Sequence, residues 1–117
     1  MVAGRVASFG HAFRGVWTLL STQANARIHL LATVVVVVLG IVTGLNTVEW
    51  SLIVMAISMV WAAEGLNSAL ELLADHTAPE WHETVGRAKD VAAGAVLLTA
   101  MGAVAIGLIV FLPHLGG

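Results

Sequence analysis

Four polar residues punctuate a long apolar stretch: Glu64, Asn67, Glu71 and Asp75. At about 100° per residue their spacing places all four within roughly 80° of helix circumference, so on a helix they form one stripe. Ionisable groups inside a membrane span are costly and mark functional sites. A stripe that hydrogen-bonds neighbouring helices is the structural alternative. Three carboxylates fit that alternative poorly, because like charges in low dielectric repel unless a cation or proton intervenes. Carboxylates near a membrane surface suit Mg²⁺, which takes one or two of them together with the phosphates of a substrate. Just downstream, Gly86-Arg87-Ala88-Lys89-Asp90 supplies two cations and a further carboxylate, the residue types that hold a triphosphate. Arg87 alone reads equally well as a membrane anchor. Conventional nucleotide motifs are missing: there is no GxxxxGK[ST] loop, GxGxxG fingerprint or kinase catalytic loop. No HExxH occurs, and His76 and His82 share no helical face. His11 and His114 read as interfacial surface residues, His29 as a side chain reaching the inner interface, and Met55, Met59, Trp61 and Met101 as packing residues.

These residues need a bilayer around them. Of 117 residues, 59% are hydrophobic and 10% charged, against about 25% charged in soluble domains. A chain this short has too little interior to hide so much apolar surface from water. The absence of cysteine excludes a disulfide scaffold and thiolate metal sites. A net charge of −2 leaves no basic surface for nucleic acid. The expected fold is a single all-α integral membrane domain over residues 1–117, with an amphipathic surface helix (1–22) and three transmembrane helices. The first, 28–48, carries no charge and at about 21 residues can cross a hydrocarbon core of about 30 Å. Its Val34–Val38 run would suggest a strand in water, but in lipid only helices and closed barrels satisfy the backbone. The second covers 50–75, including the polar stripe. The third covers 86–112, ended by Pro113 and Gly116–Gly117.

In the N-terminal segment Val6, Phe9, Phe13, Val16, Trp17 and Leu20 recur at helical spacing, opposite Arg5, Ser8, His11, Arg14 and Thr18. That pattern suits a helix lying in the membrane interface. Arg5, Arg14, Arg27, Arg87 and Lys89 are the only five Lys/Arg residues. All fall on one side of the spans, which places the N-terminus and the 76–85 loop in the cytoplasm and the C-terminus outside. Trp50 then suits the outer interface and Trp81 the inner one. Gly40 and Gly44 form a GxxxG pair, which at this length indicates close packing at most.

The run Glu64-Gly-Leu-Asn67-Ser-Ala-Leu-Glu71-Leu-Leu-Ala-Asp75, followed by Gly86-Arg-Ala-Lys89-Asp90-Val-Ala-Ala-Gly-Ala-Val, resembles the signature of the small prokaryotic diacylglycerol kinase family. Ser8-Phe9 through Gly15, Asn25-Ala-Arg27-Ile28-His29, Val48-Glu49-Trp50 and Ile109-Val-Phe-Leu-Pro113 resemble its undecaprenol kinase branch. The likeness spans nearly the whole chain. It implies a homotrimer of three-span subunits with surface helices, in a bacterial cytoplasmic membrane. It implies Glu64 as the catalytic base on a lipid hydroxyl, Asn67 as a substrate-positioning residue and Glu71 as a ligand of the metal in MgATP. It further implies nucleotide-binding roles for Lys89, Asp90 and the loop from Glu80 to His82, with Asp75 and Arg87 in support. Gln23 stands where the family usually carries a second metal-binding Glu.

The expected function is therefore transfer of the γ-phosphate of MgATP to a membrane lipid alcohol, with undecaprenol the leading substrate and diacylglycerol the alternative. A catalytically inactive membrane subunit and a small ion transporter are the readings from other classes. Direct transfer is the simplest scheme, since there is no Cys or evident His nucleophile. Three spans enclose little, so a complete site would borrow a neighbour's helix.

Overall fold

A computed structural model describes residues 2–116, which form four helices: α1 (Val2–Thr22), α2 (Ala24–Thr43), α3 (Thr47–Thr77) and α4 (Glu83–Leu115). The last three are each long and apolar enough to cross a membrane. At about 1.5 Å per residue, α3 and α4 are about 45–50 Å long, well beyond a hydrocarbon core of about 30 Å. The polar stripe lies in the C-terminal half of α3 and the basic segment in the first turns of α4.

The helix ends follow from local chemistry. α2 stops at Thr43, short of the end of the uncharged run that suggested a span over 28–48. Gly44 takes a left-handed conformation (φ 79°), and its N–H closes onto the Gly40 carbonyl at 3.0 Å. Only glycine adopts that conformation without strain. α3 restarts two residues after Leu45, with Asn46 as its cap. The Asn46 side chain accepts from the Glu49 N–H at 2.9 Å, and Glu49 accepts from the Asn46 N–H at 3.0 Å, a reciprocal capping box. The two glycines of the GxxxG pair thus have separate tasks. Gly44 ends α2, while Gly40 makes room for Trp50: a Cβ at Gly40 would lie 2.6 Å from the indole. Beside this turn, α4 runs through Pro113 to Leu115 instead of ending at the proline. The missing N–H costs one hydrogen bond in the final turns, where the helix is about to end.

α3 and α4 form an antiparallel pair that packs along most of its length, and α2 lies more sparsely against α3. The tightest apolar cluster joins Leu45, Ile53 and Val110 with Val36, Trp50 and Phe111 around them. It occupies the end of the bundle that holds the α2–α3 turn. There His114 Nε2 meets Glu49 Oε2 at 2.7 Å, tying the end of α4 to the start of α3. His114 is therefore a clamp between helices and not a lone surface residue. At the opposite end Lys89 Nζ bonds Asp75 Oδ1 at 2.8 Å. The hairpin is thus pinned by a polar side-chain contact at each end.

Candidate functional site

The polar stripe of α3 changes character along its length. Glu64 is buried, with 1% of its surface exposed. Asn67 is buried, Glu71 half-buried and Asp75 exposed. Stepping three to four residues per turn keeps the stripe on one face, while the helix emerges from its neighbours toward the connection at 78–82. The result is a line of polar groups leading from the protein surface to a carboxylate inside it, with Glu64 about 16 Å from Asp75 along the axis.

At the deep end, Ser68, one turn beyond Glu64, donates its hydroxyl to Glu64 Oε1 at 3.4 Å. Glu64 Oε2 and Asn67 Oδ1 are buried without a hydrogen-bond partner. An unpartnered buried acceptor costs about 1–3 kcal/mol, more when charged, so native structures keep such atoms where function requires them. A hydroxyl has one proton to give, so Glu64 Oε2 is suited to accept from it, with the Asn67 amide one turn away on the same face. Facing them from α2, His29 Nε2 lies 3.5 Å from Glu64 Oε2. His29 is turned inward and half-buried. It also stands in an apolar cleft of about 300 Å³ between α2, α3 and α4, among Ala32, Val36, Ile53, Val60 and Ala103.

At the shallow end, Lys89 of α4 is bound to Asp75 of α3, and the negative charge of Glu71 acts on it as well. Lys89 has three donors, so the contact with Asp75 leaves others for a phosphate. Asp90 is exposed beside it. Arg87 is exposed and pairs with Glu83 on its own helix at 3.0 Å. Such a surface i,i+4 pair is worth about 0.3–0.5 kcal/mol and yields readily to a stronger anion. Glu80 and His82 are exposed on the 78–82 connection, and His82 caps α4 without a side-chain bond.

Gln23 is the only non-helical residue between α1 and α2, and as N-cap it makes no side-chain capping bond. Its amide is therefore available to a ligand. It lines a second cleft, of about 730 Å³, between α1 and α3, together with Thr18, Thr22 and Ser68. Among the described residues, no three of His, Cys, Asp and Glu come close enough to hold a metal on their own. That donor set fits a divalent ion carried in by a triphosphate, which needs only one or two protein oxygens.

The chain matches the prokaryotic diacylglycerol kinase family over residues 10–111, nearly its whole length. It belongs to that family. The protein is therefore a membrane lipid kinase with three apolar helices. It is 38% identical to the undecaprenol kinase of Bacillus subtilis over 108 residues, covering 92% of this chain and 88% of the relative. It is also 38% identical to the diacylglycerol kinase of Synechocystis, covering 92% of this chain and 62% of that longer protein. The diacylglycerol kinase of Escherichia coli is 30% identical, with 92% and 88% covered. Within this prokaryotic diacylglycerol kinase fold, sequence periodicity pointed to the stripe but not to its surroundings. Ser68 could have been found as the residue four after Glu64. The Asn25–His29 run drew attention to His29, but nothing local links it to Glu64, 35 residues away.

Proposed function

We propose that this protein is an ATP-dependent undecaprenol kinase that transfers the γ-phosphate of MgATP to the lipid hydroxyl at the cytoplasmic surface of a bacterial membrane. The observation that carries the reading is the buried Glu64 carboxylate with its unpartnered Oε2. In a lipid kinase, that atom is suited to take the hydroxyl proton. As it does so, the lipid oxygen bonds to the γ-phosphorus and the bond to the bridging oxygen breaks, releasing ADP. The Asn67 side chain, buried one turn away, orients the hydroxyl. Such transfer depends on positioning and charge neutralisation more than on covalent chemistry from the protein. Glu71, about 10 Å along the axis from Glu64, and the Gln23 amide are the oxygens that would meet the Mg²⁺ of the nucleotide. That ion would supply charge neutralisation between the phosphates. Lys89 offsets the remaining charge, with Asp90, Glu80 and His82 holding the nucleotide and Asp75 and Arg87 setting the local field.

The same reading accounts for exposed surface. Phe9, Phe13, Val16 and Trp17 of α1 are all more than half exposed, which supports an interfacial helix with its apolar stripe in the acyl region. Exposed apolar residues along α2 and α4 support contact with lipid and with further copies, in a homotrimer. The cytoplasmic N-terminus and external C-terminus follow from the placement of basic residues.

Undecaprenol is favoured over diacylglycerol because the Bacillus undecaprenol kinase is matched over 88% of its length, whereas the equally identical Synechocystis diacylglycerol kinase is matched over 62%. The Escherichia coli relative keeps diacylglycerol as the second substrate to test. Purified protein in lipid vesicles, given MgATP and each lipid, is expected to phosphorylate undecaprenol with the higher kcat/KM. Equal efficiency toward both lipids would defeat the preference. Absence of any lipid phosphate would favour the inactive-subunit and transporter readings.

A further inference from the structure

The imidazole of His29 packs against Trp61, which is itself tied to α2 beside it. Thr33 Oγ1, one turn along α2, donates to the His29 carbonyl at 2.7 Å. The same hydroxyl accepts from Trp61 Nε1 of α3 at 2.9 Å. The Trp61 ring in turn meets the His29 ring edge to face, with centroids 6.3 Å apart and planes at 62°. Edge-to-face pairs of this kind are favourable and directional. Backbone, hydroxyl, indole and imidazole thus close a circuit that ties α2 to α3 one turn before Glu64. The circuit leaves the imidazole edge facing the carboxylate, with Nε2 at 3.5 Å from Oε2 and 19% of the side chain exposed. Without it, the carboxylate has only the long Ser68 bond, on the other oxygen, to fix its plane.

We propose that His29 is the positioning residue of Glu64: its Nε2–H donates to Oε2 and fixes the carboxylate plane for the approaching hydroxyl. The inference rests on the lipid-kinase reading of Glu64. An ionised carboxylate offers about four lone-pair sites, so Oε2 can accept from His29 and from the substrate hydroxyl together. A contact of 3.5 Å is long for an N–H···O bond, but hydrogen bonds at catalytic groups tighten when substrate is bound. His29 itself touches no reacting atom. Its contribution is the orientation of a base whose misplacement by about 1 Å can cost about 100-fold in rate.

The test compares wild type, His29→Leu and His29→Gln as full-length protein in vesicles, with undecaprenol and MgATP as substrates. Loss of one hydrogen bond to a charged group corresponds to a fall in kcat of about 10–100-fold for His29→Leu. The KM values for MgATP and lipid should stay unchanged, because neither substrate touches the imidazole. Glutamine retains an N–H donor, so His29→Gln should recover most of the lost kcat. A His29→Leu enzyme with wild-type kcat overturns the proposal. So does a rise in KM at constant kcat, or a His29→Gln enzyme as slow as His29→Leu. If His29→Leu fails to assemble, ¹⁵N spectra of the histidines in wild type and Glu64→Gln decide. The His29 Nε2 signal should be protonated and should move in Glu64→Gln while those of His11 and His82 stay. An unmoved His29 signal overturns the proposal. Wild type inactive on undecaprenol and diacylglycerol alike would defeat the kinase reading instead, and the spectra would still judge the His29–Glu64 contact.

Discussion

Replacing Glu64 by Gln separates chemistry from stability, because the structure predicts opposite signs for the two. The side chain is 1% exposed and Oε2 has no hydrogen-bond partner. Gln has nearly the same shape but no capacity to take the hydroxyl proton. Loss of a general base typically costs 10²–10⁴-fold, so kcat should fall by about that factor, equivalent to about 3–5 kcal/mol of transition-state stabilisation. Folding should respond in the other direction. A buried carboxylate whose Oε2 meets no donor closer than His29 at 3.5 Å carries a standing cost, and a neutral amide in its place relieves part of the desolvation penalty, of order 1–3 kcal/mol. The midpoint of thermal unfolding in detergent should therefore hold steady or rise by a few degrees. Phosphate transfer from MgATP to undecaprenol measures the first quantity, and a thermal scan of the same preparation measures the second. Near-normal turnover would remove Glu64 from the mechanism. Lost turnover accompanied by a clearly lower midpoint would refute the separation, since the residue would then be a structural member of the core.

Three further outcomes are expected. Lys89→Met should raise the KM for MgATP with little change in the KM for lipid; a MgATP titration matching wild type would reduce Lys89 to the structural partner of Asp75. Gln23→Glu should lower the Mg²⁺ concentration for half-maximal activity and Gln23→Ala should raise it, because a carboxylate stabilises the ion more than an amide does; three superimposable titrations would make Gln23 a bystander. Gly40→Ala should destabilise the protein by about 1–3 kcal/mol, the usual cost of overpacking, since its Cβ would meet the Trp50 indole at 2.6 Å and Leu45 at 3.1 Å. Unchanged thermal stability in that variant would mean the α2–α3 turn is looser than described.

Much of this protein is legible one helix at a time. A charge-free run of about twenty residues reads as a helix in lipid, because only helices and closed barrels satisfy the backbone there and the run is too long for a barrel strand. The stripe from Glu64 to Asp75 follows from helical spacing alone, as does the amphipathic pattern from Val6 to Leu20. Residue types in the stripe and in the Gly86–Asp90 segment were enough to suggest phosphate chemistry, and the family match agrees with that suggestion. Tertiary structure decided the rest. Whether Glu64 faces lipid, solvent or protein depends on the rotation of α3 about its axis and on its height against α2. Both are set by contacts between residues far apart in sequence. The same packing turned His29 inward to Glu64, joined His114 to Glu49, and buried Asn67 while leaving Asp75 exposed to meet Lys89. It also split Gly40 and Gly44 into a seat for Trp50 and a helix terminus. Periodicity is a property of a single helix; the partner each face meets is a property of the bundle. A proposed base takes its meaning from its partners, so the sequence could single out Glu64 but only the fold could supply its surroundings.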